Sequence, residues 1–134
     1  MSMDTNSIDQ ISEMLTVMGQ PVRIQILLVI REKEACVCHL EAVLGIRQSG
    51  ISQHLMALRK AGLVTSQRIG RNIYYSLNDP HIDKLLADVI RLTSANPDTL
   101  TALSLRPYPH CPCPQCHPER NADYSCQNLH PAKA

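Results

Sequence analysis

Two short stretches hold most of the residue types that do chemistry in this chain of 134 residues. "EACVCHL" places Cys36 and Cys38 one residue apart, and "CPCPQC" places Cys111, Cys113 and Cys116 in a proline-rich segment with Cys126 further on. A lone buried cysteine is usually core filler. Five thiols in two tight clusters point instead to soft-ion ligation, because thiolates prefer As(III), Sb(III), Cd(II), Pb(II), Hg(II), Cu(I) or Zn(II) to hard cations. Reversible oxidation or persulfidation of the same thiols is the competing chemistry. Cys36 and Cys38 alone supply two sulfurs, whereas a pyramidal As(III) or Sb(III) needs three. From Ala95 to Cys111 the chain reaches ~55 Å at most when extended, enough for the second stretch to close on the first. Cys111, Cys113 and Cys116 by themselves are the other candidate triad.

A different set of residues suits nucleic acid. Residues 42–78 contain no Asp or Glu but carry Arg47, Arg59, Lys60, Arg68 and Arg71, inside a chain of net charge +1. An acid-free basic stretch fits a polyanion. Within it, Gln48, Ser49, Ser52, Gln53 and His54 gather at one helix start, where backbone N–H groups favour phosphate and short polar side chains reach base edges. Arg68, Arg71 and Asn72 flank Gly70, a disposition suited to a basic hairpin tip lying on phosphate or in a minor groove. The chain has no Phe or Trp and no RNP-like aromatic pattern, which argues against an RNA-reading sheet.

The elements that must position these groups follow from periodicity. Ile8, Ile11, Leu15 and Met18 recur at helical spacing, with Ser7 as a candidate N-cap. Pro21 opens a second helix through "PVRIQILLVIREKE", apolar on most sides and so expected to be the most buried. "HLEAVLG" predicts a short helix ended by Gly45. "QSGISQHLMALRKAG" predicts a longer one, anchored by Ile51, Leu55 and Leu58 and stopped at Gly62. "LVTSQRIGRNIYYSL" reads as a β-hairpin. "DPHIDKLLADVIRLTSA" returns to helix, capped by Asp79 with Pro80 at its first position. The predicted class is mainly α with a small β-hairpin (α+β), a winged helix-turn-helix in the order α1-α2-α3-recognition helix-wing-α5. Seven of the nine prolines lie beyond Asn96 and periodicity ends there. The expected division is therefore a DNA-binding and dimerisation domain over 1–95 and a Pro/Cys-rich tail over 96–134, flexible without metal. Ile8, Ile11 and Leu15, with Leu85, Leu86 and Val89, exceed what such a small core needs. They are assigned to a homodimer interface through the first and last helices.

No apolar run approaches the ~20 residues of a membrane span, and the N-terminus lacks the pattern of a signal peptide. The expected compartment is cytoplasmic, where thiols stay reduced. No Cys-x-x-Cys sits at a helix start after a strand and no nucleophile–base–orienter set is evident, so the chain is not expected to be an enzyme or a metallochaperone.

"GQPVRIQIL", "CVCHLEAVLGIRQSGISQHLMALRKAGLV" and "RIGRNIYYSL" together resemble the ArsR/SmtB family of metal- and metalloid-responsive repressors, from about Gln10 to Leu92. The resemblance implies a cytoplasmic homodimer that binds double-stranded operator DNA when ligand-free and releases it when loaded, with no membrane or RNA partner. Against the arsenic-responsive branch, where a third cysteine can complete "CVCDLC", this chain has Glu41. The cadmium- and lead-responsive relatives draw extra thiolates from an N-terminal arm that here has none. The last-helix zinc site is matched by Asp79 and His81 but not by Leu92 and Ala95. Arg47 stands where a small N-capping residue is common. The expected inducer is As(III) or Sb(III), with Cd(II), Pb(II) or Zn(II) as alternatives, held by Cys36 and Cys38 and completed from Cys111, Cys113, Cys116 or Cys126. His39 is expected to be a helix-start or interface histidine rather than a ligand.

Overall fold

A computed structural model describes residues 5–120 and Tyr124. In chain order it comprises α1 (Thr5–Met18), α2 (Pro21–Ile30), β1 (Ala35–Cys36), α3 (Val37–Leu44), α4 (Gln48–Lys60), β2 (Val64–Ile69), β3 (Asn72–Leu77), α5 (Pro80–Thr93) and α6 (Pro97–Leu103). The strands form one antiparallel sheet in the order β1-β3-β2. This is the winged helix-turn-helix, with β2 and β3 as the wing. Among the described residues no single helix is long and apolar enough to cross a membrane.

Glycines set the ends of α3 and α4. Gly45, in the left-handed region at φ +68°, ends α3, and its N–H donates to Glu41 O at 2.9 Å. Gly62, at φ +79°, ends α4 while Leu63 N donates to Leu58 O and Gly62 N to Arg59 O, both at 3.0 Å. That paired closure satisfies two terminal carbonyls and turns the chain directly into β2.

The core packs α2 against α3 and α4. Ile26, Leu27, Leu40, Ile51 and Leu58 are fully buried, as the apolar α2 and the Ile51/Leu55/Leu58 stripe predict. Asp79 caps α5 by accepting from His81 N at 2.8 Å, with Pro80 in the first turn.

Four differences from the sequence expectation have local causes. α2 ends at Ile30, not near Glu34, because Ala35 and Cys36 leave to pair with Tyr75 and Tyr74 of β3. α1 already includes Thr5, so Ser7 lies inside the helix and not at its cap. α6 rises beyond the point where periodicity fades, started by Asn96, whose side chain accepts from Asp98 N at 2.9 Å, and by Pro97. Leu86 is spent on the monomer core at 3% exposure, so it is not available to a partner. Ile8, Ile11, Leu15, Leu85 and Val89 remain exposed.

Candidate metal centre and nucleic-acid interface

The backbone fixes where each sulfur goes. Cys36 ends β1 in extended conformation (φ −83°, ψ 168°) and is the N-cap residue of α3, while Cys38 sits in the first turn of that helix. The two do not share an extended segment, so the same-side geometry of alternate strand residues does not apply to them. Both are buried, in one cluster with Tyr74 of β3 and with Cys111, Cys113 and Cys116.

The proline-rich segment folds over this spot as a series of tight turns. Cys111 N donates to Tyr108 O, Cys116 N to Cys113 O, and His117 N to Cys113 O, at 2.9–3.1 Å. Arg120 donates to Pro112 O. The loop is clamped to the body by Arg106, whose guanidinium donates to Glu34 O at 2.9 Å, Lys33 O at 3.0 Å and Val29 O at 3.4 Å. Carbonyls at and just past a helix C-terminus lack intrahelical partners, and a cation there also suits the helix dipole. Gln115 Nε2 adds a bond to Glu34 Oε1 at 3.3 Å.

Cys36, Cys111 and Cys113 bring their sulfurs within 4.8 Å of one another, all buried. Cys111, Cys116 and the imidazole of His39 form a second group of the same tightness. None of the five described cysteines is in a disulfide. Cys38 belongs to the buried cluster but to neither tight triad, and Cys126 lies outside the described residues. His39 is more than the expected helix-start residue: it is 1% exposed and its Nδ1 lies 3.3 Å from Cys116 Sγ. Tyr108 also escaped sequence reasoning; its N–H donates to Cys116 Sγ at 3.4 Å, and its ring meets the His39 imidazole edge-on at 5.9 Å between centroids.

The cluster is electrostatically uneven. Hydrogen bonds from Cys113, Cys116 and Cys36, against the cost of burial, hold the Cys111 thiol far below its ordinary range. Contact with Cys111 works to raise Cys113, yet the bonds from Cys116 and Cys36 bring it down to about 6. Beside Cys111 and Cys113, Cys116 is pushed well up, with burial adding to the rise. The shift at Cys111 is toward the thiolate, the state in which sulfur ligates. Three convergent, buried sulfurs fit a soft three-coordinate ion.

The groups expected on DNA divide. Arg47, Ser49, Ser52 and Gln53 are exposed at the start of α4, with Gln48 half-buried beside them. Arg47 is the N-cap residue of α4 and makes no side-chain cap bond, since its guanidinium has no acceptor to offer the helix N–H groups. Arg68 and Arg71 are exposed at the wing tip, Arg68 Nε donating to Gly70 O at 3.3 Å. Two assignments are corrected. His54 faces the body: its Nδ1 accepts from Arg23 Nε at 3.1 Å, and burial, then the Arg23 charge, lowers its pKa. Asn72 is 3% exposed, and its Nδ2 donates to Tyr124 O at 2.5 Å. Strand alternation explains it, since Asn72 and Tyr74 share the inward face of β3 while Ile73 points out.

A short helix, a Gly-bearing turn, a second helix with an exposed polar start, and a basic hairpin together define the winged helix-turn-helix fold. Residues 20–66 match the bacterial regulatory protein, arsR family. The chain is 36% identical over 88 residues to the HTH-type transcriptional regulator NmtR of Mycobacterium tuberculosis, covering 66% of this chain and 73% of that one. It is 39% identical over 83 residues to the arsenic resistance transcriptional regulator ArsR1 of Pseudomonas putida, covering 60% and 62%. Among solved structures it resembles the homodimeric winged helix-turn-helix domain of Mb0332 from Mycobacterium bovis, at TM-score 0.64 and 25% identity, covering 69% of this chain and 88% of that one. The chain spans 62–66% of the length of the SmtB repressors it also matches. The chain belongs to the ArsR/SmtB family. The cysteine arm past residue 96 lies beyond the matched family segment.

Proposed function

We propose that this chain is a metalloid-responsive transcriptional repressor: a homodimer that holds operator DNA when ligand-free and lets go when As(III) or Sb(III) is bound by Cys36, Cys111 and Cys113. The observation that carries the reading is that buried sulfur triad, which joins the arm to the residue where β1 becomes α3. In this reading residues 1–95 read DNA and dimerise, and residues 96–134 are the sensing arm. A relative at 39% identity bears arsenic resistance in its name, which supports the ion class.

Each half of the machinery has named parts. Ser49, Ser52 and Gln53, with Gln48, face the major groove, and Arg47, Arg68 and Arg71 lie on phosphate. Phosphate contacts fix register, and base-edge contacts supply sequence preference. Ile8, Ile11, Leu15, Leu85 and Val89 supply an exposed apolar face on α1 and α5 for the second copy. A two-fold dimer of this class calls for a palindromic site with half-sites about one helical turn, roughly 34–36 Å, apart.

Coupling runs through Cys36. This residue pairs in register with Tyr74 of the wing strand and caps α3, which packs on α4. Drawing its sulfur toward Cys111 and Cys113 pulls on the wing and on the support of the reading helix at once.

The test is release from operator DNA. As(III) added to the reduced full chain is expected to free a fluorescent operator duplex, with Cys36→Ser, Cys113→Ser and a chain stopped before Cys111 unresponsive yet DNA-competent. An undiminished As(III) response in the truncated chain defeats the use of the arm.

A further inference from the structure

Beside the sulfur triad lies a second donor set of different chemistry. His39, Cys111 and Cys116 hold their ligand atoms within 4.8 Å of one another, and all three are buried. His39 is not a satisfied core histidine. With Nδ1 against the Cys116 sulfur, its Nε2 has no hydrogen-bond partner among the described residues, although the ring is 1% exposed. Burying such a nitrogen unpaired costs free energy, so the ring is not held by ordinary core hydrogen bonding, and Nδ1 is the nitrogen that faces the Cys116 sulfur. The Tyr108 N–H to Cys116 sulfur bond is the kind of outer contact that orients a ligating thiolate.

We propose that the buried cluster is a two-ion centre in which His39 and Cys116, together with Cys111, hold a divalent d10 cation next to the ion at Cys36 and Cys113, the Cys111 sulfur bridging the two. A thiolate sulfur has three lone pairs, so one residue can serve both triads. Cys111 is the member common to them and is completely buried between the partners. The donor sets differ in preference. Three sulfurs suit a soft pyramidal ion, whereas one imidazole and two sulfurs suit Zn(II)-like cations, whose Zn–S and Zn–N bonds of roughly 2.3 and 2.0–2.1 Å require only modest contraction of these donors. The proposal extends the soft-ion reading of Cys36, Cys111 and Cys113 but does not need that ion to be an inducer.

The probe is Cd(II), titrated into the reduced full chain without oxygen. Sulfur-to-cadmium charge-transfer absorption counts equivalents, and cadmium-113 NMR separates an all-sulfur site from one with nitrogen. Wild type is expected to take two equivalents per chain with two resonances. His39→Ala and Cys116→Ser are each expected to take one and to lose the nitrogen-bearing resonance. Cys36→Ser keeps that resonance and loses the other, and Cys111→Ser weakens both. Circular dichroism checks folding, and should His39→Ala not fold, the nearly isosteric Cys116→Ser decides. Saturation of wild type at one equivalent, or two equivalents persisting in Cys116→Ser, overturns the second site. One equivalent that survives His39→Ala but not Cys36→Ser overturns this proposal alone. Absence of tight Cd(II) and As(III) binding overturns it together with the function proposed above.

Discussion

The molecule has two buried clusters built on opposite principles. One joins residues of α1 to α5 with Ala35 of β1 and Val64 of β2, and apart from Met18 it consists of aliphatic residues such as Ile26, Leu27, Leu40 and Leu58. The other, under the proline-rich arm, consists of five cysteines and Tyr74, with Tyr108 and Tyr124 at its edge. The first gains free energy simply by leaving water, roughly 25 cal/mol per Å² of apolar surface. The second buries groups that ionise, and its stability depends on which protons or ions it holds. The two clusters divide the labour. In the proposed repressor, the aliphatic cluster holds α3 and α4 in one arrangement, and the sulfur cluster, sharing β1 and β3 with them, is the part whose energy a bound ion changes.

The largest effect tests that division from the aliphatic side. Leu58→Ala, at a fully buried position, is expected to lower unfolding free energy by about 2–5 kcal/mol. Urea denaturation should show this loss equally with and without As(III). A loss that vanishes on adding the ion would mean the two clusters are one. Next comes Cys111→Ser, which removes the sulfur common to both triads. In wild type, As(III) at 100 times its Kd is expected to raise stability by about 2.7 kcal/mol, and in the variant by nothing. Ligand-free variant should retard DNA as wild type does, and loss of DNA binding there would contradict the division. Third is Arg106→Ala, which unclamps the arm from Glu34, Lys33 and Val29. Hydrogen bonds to a charged group are worth about 1.5–3 kcal/mol, so As(III) affinity should fall by about 10- to 100-fold. Equal affinity in isothermal titration would show that the arm needs no clamp.

How far each cluster could be read in the sequence follows from its physics. The aliphatic cluster is local: Pro21, Gly45, Gly62 and Asp79 punctuate it, and Ile51, Leu55 and Leu58 carry its period. Each signal lies within a few residues of what it controls, and the helices formed accordingly. β1 was not legible, because two residues pairing with Tyr74 and Tyr75 carry no periodicity. The meeting of "CVC" with "CPCPQC" was legible only as chemistry that needed more sulfur. Which sulfurs meet depends on Arg106 reaching carbonyls more than 70 positions away, a contact no local pattern encodes. The cluster includes Cys36 but leaves Cys38 out of its tight triads, and it recruits His39 instead. His54 and Asn72 were misassigned for a simpler reason. Both are polar in a basic stretch, and their facing, set by helix and strand register, was outweighed by their type.

The wing supplies a smaller effect confined to the DNA side. Arg68→Ala and Arg71→Ala are each expected to weaken binding to all duplexes alike and to reduce the slope of log K against log salt by about 0.9. Neither should change As(III) affinity. A wing variant that altered sequence preference while leaving the salt slope intact would instead place these residues on base edges.

The smallest effect concerns acid. His54 has its pKa below the ordinary 6.5, first because burial penalises the imidazolium and second because the Arg23 guanidinium repels it. The neutral ring accepts the Arg23 Nε bond that ties α4 to α2, and Arg23 also donates to Val17 O at 3.2 Å. The sign follows from linkage. A histidine with a lowered folded pKa binds its proton more readily when unfolded, so its contribution to stability is present above the unfolded value. It is lost as pH falls from about 6.5 through the lower folded value. Wild type should therefore lose more stability between pH 7.5 and 5.5 than His54→Gln, in which an uncharged acceptor replaces the titrating ring. The urea midpoints of the ligand-free proteins at the two pH values measure it, since both then lack any ion in the sulfur cluster. If the two proteins lose stability equally, His54 is not the acid-sensitive joint of the reading helix. Acid sensitivity that disappears in Cys111→Ser but persists in His54→Gln would locate it among the thiols and reverse the assignment of the two halves.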